Sequence, residues 1–162
     1  MIFLYSYHHG NTKQIANVIA YKINAQLMEI DKMKAEKFDF SALEEYQMIG
    51  FGSGIDSGRH YKEILDFSNK LPVFKNKKKT FIFSTSAIYS EKKMLKDHSA
   101  LREILQNKGL EVVGEFSCLG HNTNSFLKFF GGMNKGRPNV EDLKKAEVFA
   151  GELLLKQHQF NM

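Results

Sequence analysis

Gly10, Asn11 and Thr12 lie between an apolar, β-prone opening, Ile2 to Ser6, and a stretch in which Ile15, Val18, Ile19, Ile23 and Leu27 recur at helical spacing. A loop in that position aims several backbone N–H groups and the positive end of a helix dipole at one spot, which is chemistry for an anion. Gly10 lets the backbone come close, Asn11 and Thr12 donate from their side chains, and His8 and His9, preceded by Tyr7, add ring nitrogens. A phosphate monoester satisfies the whole set; a plain turn with a helix cap is the alternative reading of the same residues. Neither GxxxxGK[ST] nor GxGxxG follows any strand, which argues against P-loop nucleotides and ordinary dinucleotides.

The elements that must position this loop repeat along the chain. Leu27 to Asp31 predicts a short second strand, and Tyr46 to Gly52 a third that runs into the glycine-rich stretch Ser53, Gly54, Ile55, Asp56, Ser57, Gly58. A helix over residues 61–71 is closed by Pro72, which cannot continue the hydrogen-bond ladder. A fourth strand at Thr80 to Phe83 leads into Ser84, Thr85, Ser86 and Ala87, with Tyr89 just beyond. Then come a helix over residues 99–108 ended by Gly109 and a fifth strand from Leu110 to Cys118. Asn139, with Asp142 three residues on, caps a last helix that buries Leu143, Ala146, Phe149, Ala150 and Leu153. Five strands alternating with helices predict one domain over 1–162, a three-layer, doubly wound α/β fold with a parallel sheet. Ligands of such sheets sit beyond the carboxyl ends of the strands, where three loops lie here.

Composition narrows the function classes. Apolar residues at 43% and charged residues at 25% are globular values, and no stretch approaches the roughly 18 apolar residues of a membrane span. The opening residues lack a secretory pattern, and the single cysteine, Cys118, fits a reducing compartment, so a cytoplasmic location is expected. The net charge is +5, and the run Lys75-Asn76-Lys77-Lys78-Lys79 reads as a solvated turn before a strand, with no nucleic-acid module around it. Six histidines show no metal-ligand spacing, so no metal is expected.

Tyr5-Ser6-Tyr7-His8-His9-Gly10-Asn11-Thr12 resembles the phosphate loop of the flavodoxin family, whose pattern ends in Thr-Gly-Asn-Thr. The resemblance spans most of the chain and implies strand order 2-1-3-4-5 and an FMN cofactor, with the phosphate on residues 7–12. It also implies that the isoalloxazine ring lies between the loops after the third and fourth strands, here Ser53 to Gly58 and Ser84 to Tyr89. Glycines there let backbone approach a flat ring, and Ser53, Ser57, Ser84, Thr85 and Ser86 supply hydroxyls for its edge. With no tryptophan in the chain, Tyr89, Tyr61 or the Phe126–Phe130 segment is left to cover the ring. The irregular stretch from Gly120 to Arg137 is long enough to read as functional, and Asn134 to Asn139 also resembles a segment found before the last helix of such proteins.

The resemblance implies an electron carrier between redox partners, needing no catalytic side chain. Flavodoxins are commonly acidic, whereas this chain is basic with Arg59 and His60 beside the second loop, which favours the alternative of a small FMN-dependent NAD(P)H reductase acting on a quinone or another small acceptor. A cofactor-free interaction domain is the third reading.

Overall fold

The structure, a computed structural model, describes residues 1–5, 10–30, 38–123 and 132–158. Tyr7, His8, His9 and Phe126–Phe130 lie outside the described residues.

Strand β1 (Ile2–Tyr5) leads to helix α1 (Asn11–Lys22), β2 (Leu27–Glu29), a 3-10 segment (Phe40–Glu45) and β3 (Met48–Asp56). A two-residue strand β4 (Arg59–His60) precedes α2 (Lys62–Asn69), and β5 (Lys78–Ser86) precedes α3 (Glu91–Asp97) and α4 (Ser99–Asn107). β6 (Leu110–Leu119) and α5 (Val140–His158) complete the chain. The parallel sheet has the order β2-β1-β3-β5-β6, the expected 2-1-3-4-5 once β4, which pairs antiparallel with β3, is set aside.

Strand alternation divides the core between the two faces. Phe3, Ile49, Phe51 and Ile82 pack under α2 and α4 against Ile64, Phe67, Leu101 and Leu105. Ile2, Met48, Phe81, Phe83 and Cys118 pack under α1 and α5 against Ile15, Ile19, Ala146, Ala150 and Leu153. Each Leu, Ile, Phe or Met among them contributes about 1.5–3 kcal/mol by leaving water. Burial pushes the Cys118 thiol up to about 12, as suits a small, inert strand residue.

The structure changes several sequence expectations. The stretch Ser53 to Gly58 is not a loop: β3 continues through Asp56, and only Ser57 and Gly58 turn. Gly50 and Gly52 sit inside β3 as expected, covered by the rings of Phe81 and Phe83; a Cβ at either would lie 2.2 Å from a ring carbon. Ser84, Thr85 and Ser86 likewise belong to β5. Lys78 and Lys79 are strand residues, and Lys78 donates its ammonium to the carbonyls of Glu44 and Tyr46, so only part of the basic run is a turn. Helix α3 was not expected; Ser90 caps it by accepting from the Lys93 N–H. The capping pair before α5 is as predicted: Asn139 Oδ1 accepts from the Asp142 N–H, and the Asp142 carboxylate accepts from the Asn139 N–H.

β6 holds one irregularity with a large effect. Thr80 pairs with Val112 but Phe81 pairs with Gly114, so Val113 is an extra residue, a bulge. A shift of one residue exchanges the two faces of everything beyond it. Glu115 and Ser117 are thereby turned toward α4, and Phe116 and Cys118 toward α5.

Candidate functional site at the carboxyl edge of the sheet

The start of α1 lies at this edge. Gly10 is the residue before the helix, with φ 64°, and among the described residues nothing comes within 4 Å of the position a Cβ would take. Among the described residues no side chain caps the first turn, and no acidic residue lies in it, whereas α3 and α5 have side-chain caps and acidic first turns. The first-turn N–H groups and the dipole thus form a place suited to an anion.

The side chains expected to donate there also brace the loops. Thr12, buried, shares a hydrogen bond with Thr85 across β5, Oγ1 to Oγ1 2.8 Å. Asn11 Nδ2 donates to the His121 carbonyl at 2.8 Å, and Gly120 N–H donates to Ser86 O at 2.9 Å. Asn134 Nδ2 donates to Ala87 O at 2.7 Å, and Ser86 Oγ to Ile88 O at 2.8 Å. The ends of β5 and β6, the start of α1 and the segment before α5 therefore meet at one place. Beyond them Ile88 and Tyr89 stand exposed.

On the other side, Ile55 pairs with His60 and Asp56 with Arg59, and the turn between them has φ 50° at Ser57 and 80° at Gly58. Two successive positive φ values mark the two-residue hairpin turn that matches strand twist. Ile55 is half-buried and Asp56, Ser57, Gly58 and Arg59 are exposed at the tip. Tyr61 lies across Gly54, where a Cβ would sit 2.5 Å from its ring.

Ser53 and Ser84 do not face this edge with their hydroxyls, which corrects their expected place at a ring edge. Ser53, Ser84 and Ser117 fall in one row across β3, β5 and β6, buried under the hairpin and α4. Ser53 Oγ lies 2.8 Å from His60 Nδ1 and 2.8 Å from Gly54 O, and it accepts from the Tyr61 N–H at 3.2 Å. Ser84 Oγ lies 2.8 Å from His98 Nε2 and 2.8 Å from Ser117 Oγ. His98 Nδ1 meets Glu115 Oε2 at 2.9 Å, and Arg102 donates to both oxygens of the same carboxylate, Nε at 2.6 Å and Nη2 at 2.7 Å. Burial raises the Glu115 carboxyl, but hydrogen bonds from His98 and Arg102, with the charge of Arg102, outweigh it and hold it at about 2. The His60 and His98 rings lie 4.8 Å apart at 40°. Burial, and then the adjacent His98, hold the His60 imidazole well below its ordinary value.

Sequence reasoning had no role for His98, Arg102 or Glu115. The serine repeated near the end of three strands was the available signal, but the bulge hides which residues of β6 share its face. Asn134 was singled out only as part of a segment; its bridge to Ala87 shows what that segment braces.

With this geometry in place, the comparisons with known proteins agree. The flavodoxin domain model matches residues 2–151. A relative 44% identical over 154 residues, covering 95% of this chain and 97% of its own, is the uncharacterized protein MJ0298 of Methanocaldococcus jannaschii. Among solved structures, oxidised Flavodoxin 2 from Bacillus cereus is similar with a TM-score of 0.65 at 22% identity, covering 96% of this chain and 97% of that one. A flavodoxin, WrbA-like protein from Agrobacterium tumefaciens is similar with a TM-score of 0.65 at 20% identity, covering 98% and 96%. At these identities the structural likeness speaks for the fold, and the family model for membership. The chain belongs to the flavodoxin domain family.

Proposed function

We propose that this protein binds FMN at the carboxyl edge of its sheet and carries electrons between redox partners. The observation that carries the reading is the first turn of α1: free of acidic residues, opened by Gly10 and without a side-chain cap among the described residues, it suits a phosphate where the family has one. The bound flavin would supply the electron chemistry, and the chain's own groups would bind and orient it. Backbone N–H groups of residues 10–12 would hold the phosphate, joined by the second Nδ2 hydrogen of Asn11 and, with Thr85 donating to it, by the Thr12 hydroxyl. The hairpin tip from Ile55 to Gly58 would border the ring on one side, and Ala87 to Tyr89 on the other, with exposed Tyr89 as its aromatic cover. Ser53 and Ser84 would act from beneath, by holding the backbone in place.

A second reading, an FMN-dependent reductase taking hydride from NAD(P)H to a quinone or other small acceptor, is favoured by the net charge of +5 and by exposed Arg59 at the hairpin tip. Both features attract an anionic dinucleotide.

The test is the visible spectrum of the purified protein after FMN addition, followed anaerobically by NADH or NADPH. The carrier reading predicts a bound-flavin spectrum that nicotinamide bleaches slowly and that a chemical reductant bleaches in two one-electron steps. Rapid bleaching by NAD(P)H would establish the reductase instead, and no bound spectrum would refute both.

A further inference from the structure

We propose that His60 is a positioning residue for the flavin: through Ser53 it clamps the base of the hairpin whose tip borders the ring. The inference rests on the FMN reading above and adds to it a role for a residue that touches no ligand.

The argument starts from one proton. The Ser53 hydroxyl has a single hydrogen, and it lies within 2.8 Å of two groups, the Gly54 carbonyl and His60 Nδ1. A carbonyl can only accept, so the hydroxyl donates there, and His60 must then carry its proton on Nδ1 and donate to Ser53. The Tyr61 N–H donates to the same oxygen at 3.2 Å, and also to Gly54 O at 3.3 Å. Ser53 and Gly54 belong to the outgoing arm of the hairpin, His60 and Tyr61 to the returning arm. One hydroxyl therefore joins both arms at their base.

The clamp matters because the ladder that closes the hairpin is short. Only two residue pairs, Ile55 with His60 and Asp56 with Arg59, join β3 to β4, and the tip beyond them is exposed. A two-stranded ribbon of that length has marginal stability by itself.

The other ring nitrogen shows which part of His60 the fold uses. Nε2 is buried and has no hydrogen-bond partner among the described residues, a cost a phenylalanine would avoid. The histidine is kept for Nδ1. Its ring is fixed from behind by His98, which Glu115 and Arg102 hold in turn. The positioning chain runs from an ionised pair on β6 and α4, through two adjacent imidazoles, to the hairpin.

Three measurements test this. In wild-type protein without flavin, ¹⁵N-resolved NMR of the imidazoles should show His60 with its proton on Nδ1; a proton on Nε2 would overturn the clamp. Next, FMN and riboflavin affinities are measured by quenching of flavin fluorescence. His60→Phe should weaken both by about tenfold, because the defect lies on the ring side and not at the phosphate. His60→Asn, whose amide N–H can take the place of Nδ1–H, should recover most of the loss. Wild-type affinity for both flavins in His60→Phe would overturn the inference while leaving FMN binding intact; failure of the wild-type protein to bind either flavin would instead strike the functional reading. Should His60→Phe not fold, Ser53→Ala breaks the same clamp and carries the same expectations.

Discussion

The two sides of the cradle are held by different chemistry. On the α1 side the braces are neutral: Thr12 to Thr85, Asn11 to the His121 carbonyl, Asn134 to the Ala87 carbonyl. On the α4 side they end in half-buried ionised groups: Glu115 and Arg102 behind His98, and the His60 ring against it. A neutral hydrogen bond is worth about 1 kcal/mol net, whereas one to a charged group is worth roughly 1.5–3 kcal/mol. The phosphate side is thus secured by many small contacts and helix geometry, and the hairpin side by a few expensive ones.

The largest effect that would break this contrast is at Glu115. Glu115→Ala should destabilise the protein by roughly 2 kcal/mol in urea unfolding, since Arg102 and His98 lose their common acceptor. A loss no larger than that of a single neutral hydrogen bond would erase the difference between the two sides.

Acid should separate them next. Because the folded protein holds the His60 imidazole well below its ordinary value of 6.5, the unfolded chain takes up a proton first. Stability is therefore complete above pH 6.5 and falls as the pH drops from there toward the folded value, by up to about 1.4 kcal/mol per pH unit. The Glu115 contribution is lost lower, as pH falls from about 4.5 toward about 2, so unfolding curves between pH 7 and 5.5 isolate the histidine. His60→Phe should flatten that slope; an unchanged slope would assign it elsewhere.

The smallest effect belongs to the α1 side. Thr85→Val keeps the shape and removes one neutral bond to Thr12, and should cost about 1 kcal/mol with the same pH dependence as wild type. A larger, pH-dependent loss would show that the phosphate side shares the ionised network.

How far each side could be read in the sequence follows the same division. The phosphate side is local: a strand, Gly10-Asn11-Thr12 and a helix are contiguous, so order alone implies N–H groups aimed at one point. The cap of α5 was legible for the same reason, with Asn139 and Asp142 three residues apart. The hairpin side is not local. His98 and Glu115 are 17 residues apart in sequence, and the bulge at Val113 reverses the face that counting along β6 would assign. Gly54 misled in another way, because a strand glycine beneath the Tyr61 ring is indistinguishable in sequence from glycine in a turn. Helix α3 escaped because its seven residues, rich in lysine, have no apolar stripe to mark them.

The central claim is that FMN binds with its phosphate on the first turn of α1, and parallel titrations of FMN and riboflavin into wild-type protein and an Asn11→Ala, Thr12→Ala variant test it most directly. The account predicts that wild type binds FMN more tightly than riboflavin, and that the variant loses FMN affinity by at least tenfold while its riboflavin affinity changes much less. Equal losses for the two flavins, or equal wild-type affinities, would contradict it.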